Sequence, residues 1–430
     1  MARQLKSHYD VIIVGAGPGG LAAAISAKKN GADDVLMIDR DLELGGILLQ
    51  CIHNGFGVET FKEDLPGPSY AQRFINEAQS VGIDYLLDSM VLDVTSGRKV
   101  FATGSRGGFK ELQAGAVVIA MGCRERTRAQ IGIPGPRPAG VYTAGLAQRW
   151  VNVEGYMPGS RFVILGSGDI GMIMARRLTF EGAKVERVLE VMPYLTGLSR
   201  NYVQCLMDFD IPLQLRHTVK RIIGNDRVEA VEAVRVDERW QSVPGTEEII
   251  PCDTLLLSVG LIPENELSQK AGVTLDPITN GPFVDDGFAT DIPGIFAAGN
   301  VVHVYDLVDW VTQAGLTAGR RAAMFAQGRC NKKPVFVPTA AGRNVRYVVP
   351  HKLDPETLTH EGVMLQMRVT QPMEEAVQVR ITDGDTLIAK ERHRYARPGE
   401  MVILNLSGQD YDAVRHAKAL NVSVVPVSSL

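Results

Sequence analysis

The chain reads as an α/β protein built from two copies of one strand–helix–strand unit, followed by a smaller β-rich region. Three observations predict this. Residues 10–40, "DVIIVGAGPGGLAAAISAKKNGADDVLMIDR", run as an apolar strand, a glycine turn, an alanine-rich helix, a glycine at the helix end and a second strand. Residues 161–191, "RFVILGSGDIGMIMARRLTFEGAKVERVLEV", repeat that plan. Gly15, Gly17, Gly20, Gly31 and Asp39 correspond to Gly166, Gly168, Gly171, Gly182 and Glu190, each pair 151 residues apart. From residue 331 onward, "MLQMRVTQP", "AVQVRI" and "TLIAKERHRYARPGEMVILNL" alternate apolar and polar residues, with "TDGDT" as a turn between two of the runs.

The glycine spacing has a specific physical meaning. In each G-x-G-x-x-G the first glycine makes the turn, the second lets backbone approach a pyrophosphate, and the third lets helix and strand pack closely. The helix start then presents unpaired N–H groups to the phosphates. Asp39 and Glu190 each follow their first glycine by 24 residues and end the second strand. A carboxylate there accepts both hydroxyls of an adenosine ribose and repels a 2′-phosphate. One such motif is weak evidence, because glycine turns also precede helices for packing alone. Two in matching register, each with its acid, predict two Rossmann-like dinucleotide-binding domains.

A chain of 430 residues with 45% hydrophobic content can bury more than one core. Its net charge of -4, with lysines and arginines scattered among acids, leaves no basic footprint for nucleic acid. The start "MARQLKSHYD" leads into a short apolar strand rather than a signal core, and no apolar run approaches the roughly 18 residues of a membrane span. A cytoplasmic protein is expected. The cysteines Cys51, Cys123, Cys205, Cys252 and Cys330 are widely separated, so CxxC pairs, zinc knuckles and iron–sulfur spacings are absent. The histidines are dispersed, and no metal site is expected.

With these residues the chain resembles the two-dinucleotide flavoprotein superfamily of the pyridine nucleotide-disulfide oxidoreductases. Three more stretches carry the likeness. "AVVIAMGC", 116–123, is like the strand and turn leaving an FAD domain, "LLLSVGLIPE", 255–264, is like its counterpart leaving an NAD domain, and "TDIPGIFAAGNVV", 290–302, is similar to the late FAD motif. The resemblance implies FAD held by Gly15, Gly17, Pro18, Gly20, Asp39, Arg40 and Gly46, with Ala120, Gly122, Gly299, Asn300 and Gln313. It implies NAD(H) held by Gly166, Gly168, Asp169, Gly171, Glu190 and Gly260. Glu190, followed by "VMPYL" with no arginine cluster, predicts NADH over NADPH.

Closer still, "GGILLQCIHNGFG", "GSGDIGMIMARRL" and "GIFAAGNVVHVYDLVDWV" resemble a subgroup related to the flavoprotein A subunits of opine oxidase, sarcosine oxidase and hydrogen cyanide synthase. Its members often accompany a glycerol-3-phosphate or amino-acid dehydrogenase, which implies a partner dehydrogenase subunit. Three departures stand out. Asn300 replaces the aspartate that usually ends the late motif, Asp169 sets a negative charge beside the second phosphate turn, and Ile173 stands where disulfide reductases place a glutamate.

The resulting division is an FAD domain of residues 1–122 plus 286–332, an NAD(H) domain of 123–285 inserted within it, and a β-rich C-terminal domain of 333–430. "GIPGPRPAG", 132–140, and "YMPGSR", 156–161, are expected to mark the crossing loops. "YDAVRHAKAL" reads as a helix and "VSVVPV" as a last strand. "VYDLVDWVTQAG", 304–315, is expected to start a helix near Asp309 whose positive end faces the flavin.

In "GGILLQCIHNGFG", 45–57, Cys51 and His53 are the candidate catalytic residues. Disulfide reductases place cysteines two and seven residues after the Gly-Gly, and here those positions hold Leu48 and His53. Cys51 reads as a redox thiol or, preferably, as a packing residue near the flavin. His53 suits acid/base work because imidazole titrates near neutrality, or it simply holds the loop. His303 and Tyr305 are further candidates for the flavin face. Three functions compete. The first is an FAD-dependent oxidoreductase passing electrons between NAD(H) and a partner dehydrogenase or small acceptor without a dithiol. The second is one component of a multi-chain enzyme for an opine, amino acid or glycerol 3-phosphate, equivalent to those A subunits. The third is a docking component with structural FAD.

Overall fold

A computed structural model describes residues 5–105, 107–330 and 334–429. The chain forms two compact units, one of Met1–Cys123 with Pro263–Leu430 and one of Arg124–Ile262.

In the first unit, His8–Val14 is the central parallel strand, and its residues are buried on both faces from Val11 to Val14. That explains an unbroken apolar run where a one-sided strand would alternate. It pairs with Val35–Ile38 on one side and with the long strand Gly108–Ile119 on the other. The late strand Ile295–Ala297 then lies parallel to the end of that long strand. Asp84–Leu86, parallel to Val35–Ile38, and the antiparallel meander of Ser89–Val94 and Lys99–Gly104 complete the seven-stranded sheet.

The helix Pro18–Lys29 buries nine consecutive residues, Gly19 to Ala27, and packs along the helix Val308–Ala326. A Cβ at Gly315 or Gly319 would collide with the carbonyl oxygens of Gly19 and Ala23. These two glycines therefore set how closely the helices approach. Against this alanine surface a long side chain has no room, and each buried aliphatic residue nearby contributes about 1.5–3 kcal/mol.

The second unit repeats the plan. Its parallel sheet runs Leu213–Leu215, Lys184–Glu190, Arg161–Leu165, Thr254–Leu257, Val141–Thr143, beside an antiparallel meander of His217–Ile223, Ala230–Arg235 and Glu248–Pro251. The unit ends at Ile262 rather than at 285. Residues 263–285 join the first unit because Leu267, Ala271, Val273 and Val284 are buried with Val91 and Val94 of its meander. The stretches 132–140 and 156–161 are no crossing loops either. Both lie inside the second unit, where Ile222 N–H donates to Pro134 O and Ala139 bridges Arg227.

The boundary expected at residues 332 and 333 lies outside the described residues. The region after it is β-rich, with Val337–Ala341 parallel to Leu420–Pro426 in one sheet and Val345–Val349, Val363–Val369 and Val402–Leu406 in another. The two sheets enclose their own core, including Leu365, Met367, Val379 and Leu404. The helix read in "YDAVRHAKAL" is shorter, Tyr411–His416, because the final strand already begins at Leu420. Among the described residues no helix is long and apolar enough to cross a membrane.

Candidate functional site

The first glycine turn is shaped by what its glycines face. Gly15 has φ +104° and a Cβ there would stand 2.5 Å from Ala120 O, while a Cβ at Gly20 would collide with Gly15 O. Gly17 differs, because a Cβ there would meet no heavy atom within 4 Å. The turn is thus closed around its first and third glycines and open at its second, at the start of the helix that Pro18 opens. Asp39 Oδ2 accepts Ala16 N–H at 2.6 Å and Oδ1 accepts Asp41 N–H at 2.9 Å. A carboxylate has about four acceptor positions, so capacity remains for ribose hydroxyls on this half-buried side chain. These residues fit an adenine dinucleotide.

Of the other expected residues, Ala120 and Gly46 face this turn. Gly46 abuts the turn, where a Cβ would lie 2.8 Å from Gly17 Cα, and Gly19 lies beside Ala298. Gly122 and Gly299 have φ of +73° and +77°. Asn300 Oδ1 accepts Tyr305 N–H at 3.1 Å, and its Nδ2 contacts Cys123 Sγ at 3.6 Å. One of its acceptor positions therefore serves its own chain. Arg40 and Gln313 both present exposed side chains.

The loop after Gly46 is held by a group that the sequence marks only as part of a helix start. The helix Val308–Ala326 carries the buried Asp309 in its first turn. Asp309 Oδ1 accepts Thr60 N–H at 2.7 Å and Oδ2 accepts Gly57 N–H at 3.3 Å. Tyr70 OH bonds Thr312 Oγ1 at 2.7 Å on the next turn of that helix. Nothing in the local sequence of Tyr70 or Thr312 marks this pairing, which spans 242 residues.

Within that loop His53 Nδ1 lies 2.8 Å from Asn54 O, and its ring centroid is 5.1 Å from that of Phe56. A carbonyl only accepts, so Nδ1 carries the proton and Nε2 of the neutral ring is the accepting nitrogen. Cys51 is half-buried, and its thiol donates to Ile47 O at 3.3 Å. Burial pushes that thiol up to about 12.

His303 points away from any open face. It is 1% exposed, with Nε2 3.2 Å from Gln366 Oε1 and Nδ1 3.5 Å from Tyr347 OH. Burial, and next the nearby Arg368 charge, depress it to about 3. An unfolded histidine titrates near about 6.5, so between those values the unfolded chain binds a proton that the folded chain does not. Stability contributed by neutral His303 is therefore complete above about pH 6.5 and falls as pH drops toward 3, by up to about 1.4 kcal/mol per unit. Asp285, raised to about 6 by burial and by Asp286, has the opposite slope, so the comparison must be with a variant. In urea denaturation at pH 7 and pH 5, His303→Gln is expected to lose less stability than the wild type. Equal losses would show that His303 takes up a proton in the folded chain.

The second turn is closed where the first is open. Gly166 has φ +101° and would meet Ser258 O, as Gly15 meets Ala120 O. At Gly168, however, a Cβ would lie 3.1 Å from Ser258 Oγ, and that hydroxyl accepts Gly171 N–H at 3.1 Å. Glu190, 3% exposed, accepts from Ser167 N, Ser167 Oγ and Thr196 Oγ1 through Oε2 and from Met192 N through Oε1, at 2.7–2.9 Å. Asp169 Oδ1 accepts Leu198 N–H at 2.8 Å and Asn201 Nδ2–H at 2.7 Å. Gly260, φ +101°, is exposed at the end of this unit's sheet.

Residues 9–332 match the family model described as "Pyridine nucleotide-disulphide oxidoreductase". An opine oxidase subunit of Agrobacterium tumefaciens (strain Ach5) is 28% identical over 348 residues, 76% of this chain and 67% of that protein. Thioredoxin reductase of Listeria innocua is 29% identical over 298 residues, 68% of this chain and 86% of that protein. The crystal structure of T. acidophilum thioredoxin reductase superposes with a TM-score of 0.61 at 23% identity, covering 76% of this chain and all of that one. Two parallel-sheet nucleotide units and a match over three quarters of the sequence lead to one conclusion: the chain belongs to the pyridine nucleotide-disulphide oxidoreductase family, the FAD- and NAD(P)-dependent oxidoreductases.

Proposed function

We propose that this protein passes electrons between NADH and an acceptor that is not a disulfide, either a partner dehydrogenase or a small molecule. The observation that carries this reading is the loop of Cys51, which holds no second cysteine and in which the Cys51 thiol donates to Ile47 O. A thiol pushed up to about 12 supplies no thiolate near neutral pH. When bound, FAD supplies two-electron exchange with a reduced nicotinamide.

The chain's own residues do the rest. Gly17 leaves space at the helix start for a pyrophosphate, and Asp39 has acceptor capacity for the ribose. Asp309 fixes the 57–60 backbone, which holds the loop carrying His53. His53, whose Nδ1 is engaged by Asn54 O, takes a proton from an acceptor or substrate at that loop through Nε2, and the Nδ1 bond supports this reading.

The test is a pair of variants assayed with NADH and a dye acceptor. Cys51→Ala is expected to bleach its flavin anaerobically with NADH and to turn over within about twofold of wild type. His53→Gln is expected to keep the bleaching and lose about 10²-fold in turnover with a dye that takes up a proton on reduction. A Cys51→Ala rate below a tenth of wild type overturns the reading, as does a flavin that NADH leaves unbleached.

A second reading is favoured by the likeness to the opine oxidase subunit. In it the chain is one component of a multi-chain enzyme oxidising an opine, an amino acid or glycerol 3-phosphate. Recovery of a second flavoprotein in stoichiometric amount with the tagged chain supports it, and full turnover by the isolated chain overturns it.

A further inference from the structure

The two glycine turns share one acid clamp, and the difference between the copies bears on what the second can read. Asp39 bridges Ala16 N and Asp41 N, and Glu190 bridges Ser167 N and Met192 N, the same two positions shifted by 151 residues. What the second copy adds is two hydroxyls. Ser167, in place of Ala16, donates its Oγ–H to Glu190 Oε2 at 2.7 Å, and Thr196, in place of Gly45, donates at 2.9 Å. Thr196 N–H in turn donates to Ser167 Oγ at 3.1 Å, so the three residues form one closed set.

The count of donors decides the consequence. A carboxylate offers about four acceptor positions. Asp39 uses one position on each oxygen for its own chain, whereas Glu190 receives three donors on Oε2 and one on Oε1 and is 3% exposed. Asp169 adds a second tie on the same segment through Leu198 N and Asn201 Nδ2. Between these ties, a Cβ at Gly197 would lie 2.8 Å from Ser167 O, so the segment rests directly on the turn.

We propose that Ser167 and Thr196 are the specificity-determining residues of the second nucleotide site: their hydroxyls hold the positions on Glu190 that a dinucleotide's ribose hydroxyls would take. This rests on the reading that the second unit takes NADH. Glu190 then takes both ribose hydroxyls, one on each oxygen, only after Thr196 swings away from Oε2, and the nucleotide's apparent affinity is reduced by the fraction of chains in which Thr196 is bonded. The residues found at the same positions of the first turn, alanine and glycine, leave its acid available.

Calorimetry of FAD-loaded protein with ADP-ribose, which carries the ribose and pyrophosphate but no nicotinamide, tests this apart from electron transfer. Ser167→Ala/Thr196→Ala is expected to bind ADP-ribose about tenfold more tightly than wild type. The 2′-phosphorylated analogue is expected to gain nothing, since Glu190 repels its phosphate. Thr196→Ala alone removes the hydroxyl of a half-buried residue and gives a smaller gain in the same direction, which covers a double variant that fails to fold. Weaker or unchanged ADP-ribose binding in both variants overturns the proposal, because hydroxyls that belong to the ribose cradle would be missed. Tighter binding with a flavin that NADH does not bleach keeps the proposal and rejects the electron-transfer reading. Bleaching by NADH together with weaker ADP-ribose binding does the reverse.

Discussion

Gly17→Ala is expected to give a folded protein that has lost its flavin. A methyl group at Gly17 meets no heavy atom within 4 Å, and the residue sits at φ -73°, ψ -173°, which any residue adopts. The protein itself loses only an N-cap glycine, a change of about 1 kcal/mol or less. On the reading that a pyrophosphate approaches the helix start through this open volume, the methyl overpacks the ligand rather than the fold. Overpacking of about 3 kcal/mol lowers FAD affinity on the order of a hundredfold. The check is flavin absorbance per chain after dialysis, with circular dichroism and Tm of the apoprotein as the control. Gly20→Ala makes the contrast, because its methyl would strike Gly15 O inside the turn, and little soluble protein is expected. A Gly17→Ala protein with stoichiometric FAD would place the pyrophosphate elsewhere.

That contrast shows what the sequence could carry. The G-x-G-x-x-G spacing identifies both turns, because turn, helix start and strand packing each demand a glycine at a fixed offset. It cannot say which turn is open. That depends on Ser258 against Gly168 and on Ser167 and Thr196 at Glu190, contacts made by residues that look ordinary along the chain. Asp39 and Glu190 carry the same signal and differ in how many donors the fold brings to them. The loop of Cys51 and His53 shows the same limit. Its glycines announce a tight passage, but the carboxylate that fixes it, Asp309, lies about 250 residues away, beyond the reach of any local pattern. Residues 263–285 fall in the other unit from the one expected for a related reason, since a boundary is decided by which core buries Leu267 and Val284. The β-rich end is legible from alternation, because strands such as Val377–Asp383 and Val402–Leu406 have one face on its own core.

Asp306→Ala is expected to destabilise the first unit strongly. Asp306 and Arg368 pair with side chains only 10% and 15% exposed, and Asp306 also takes Met401 N–H. The guanidinium's other donors reach Pro398 O at 3.1 Å and Val304 O at 3.2 Å. Removal of the carboxylate strands a buried positive charge that carbonyl oxygens cannot neutralise, at a cost of about 3–5 kcal/mol. Thermal denaturation should show a Tm lower on the order of 10 °C. Asp306 lies six residues beyond Asn300, and Val304 and Met401 are tied through the same pair. The late motif and the β-rich region should therefore loosen together, with flavin released in the same transition as the loss of structure. Asp306→Asn with Arg368→Met removes both charges and keeps an acceptor for Met401 N–H, so it is expected to recover most of the loss. If Asp306→Ala shifts Tm by less than about 2 °C, the Arg368 charge has found water, and the pair is a surface contact rather than the link between the late motif and the β-rich region.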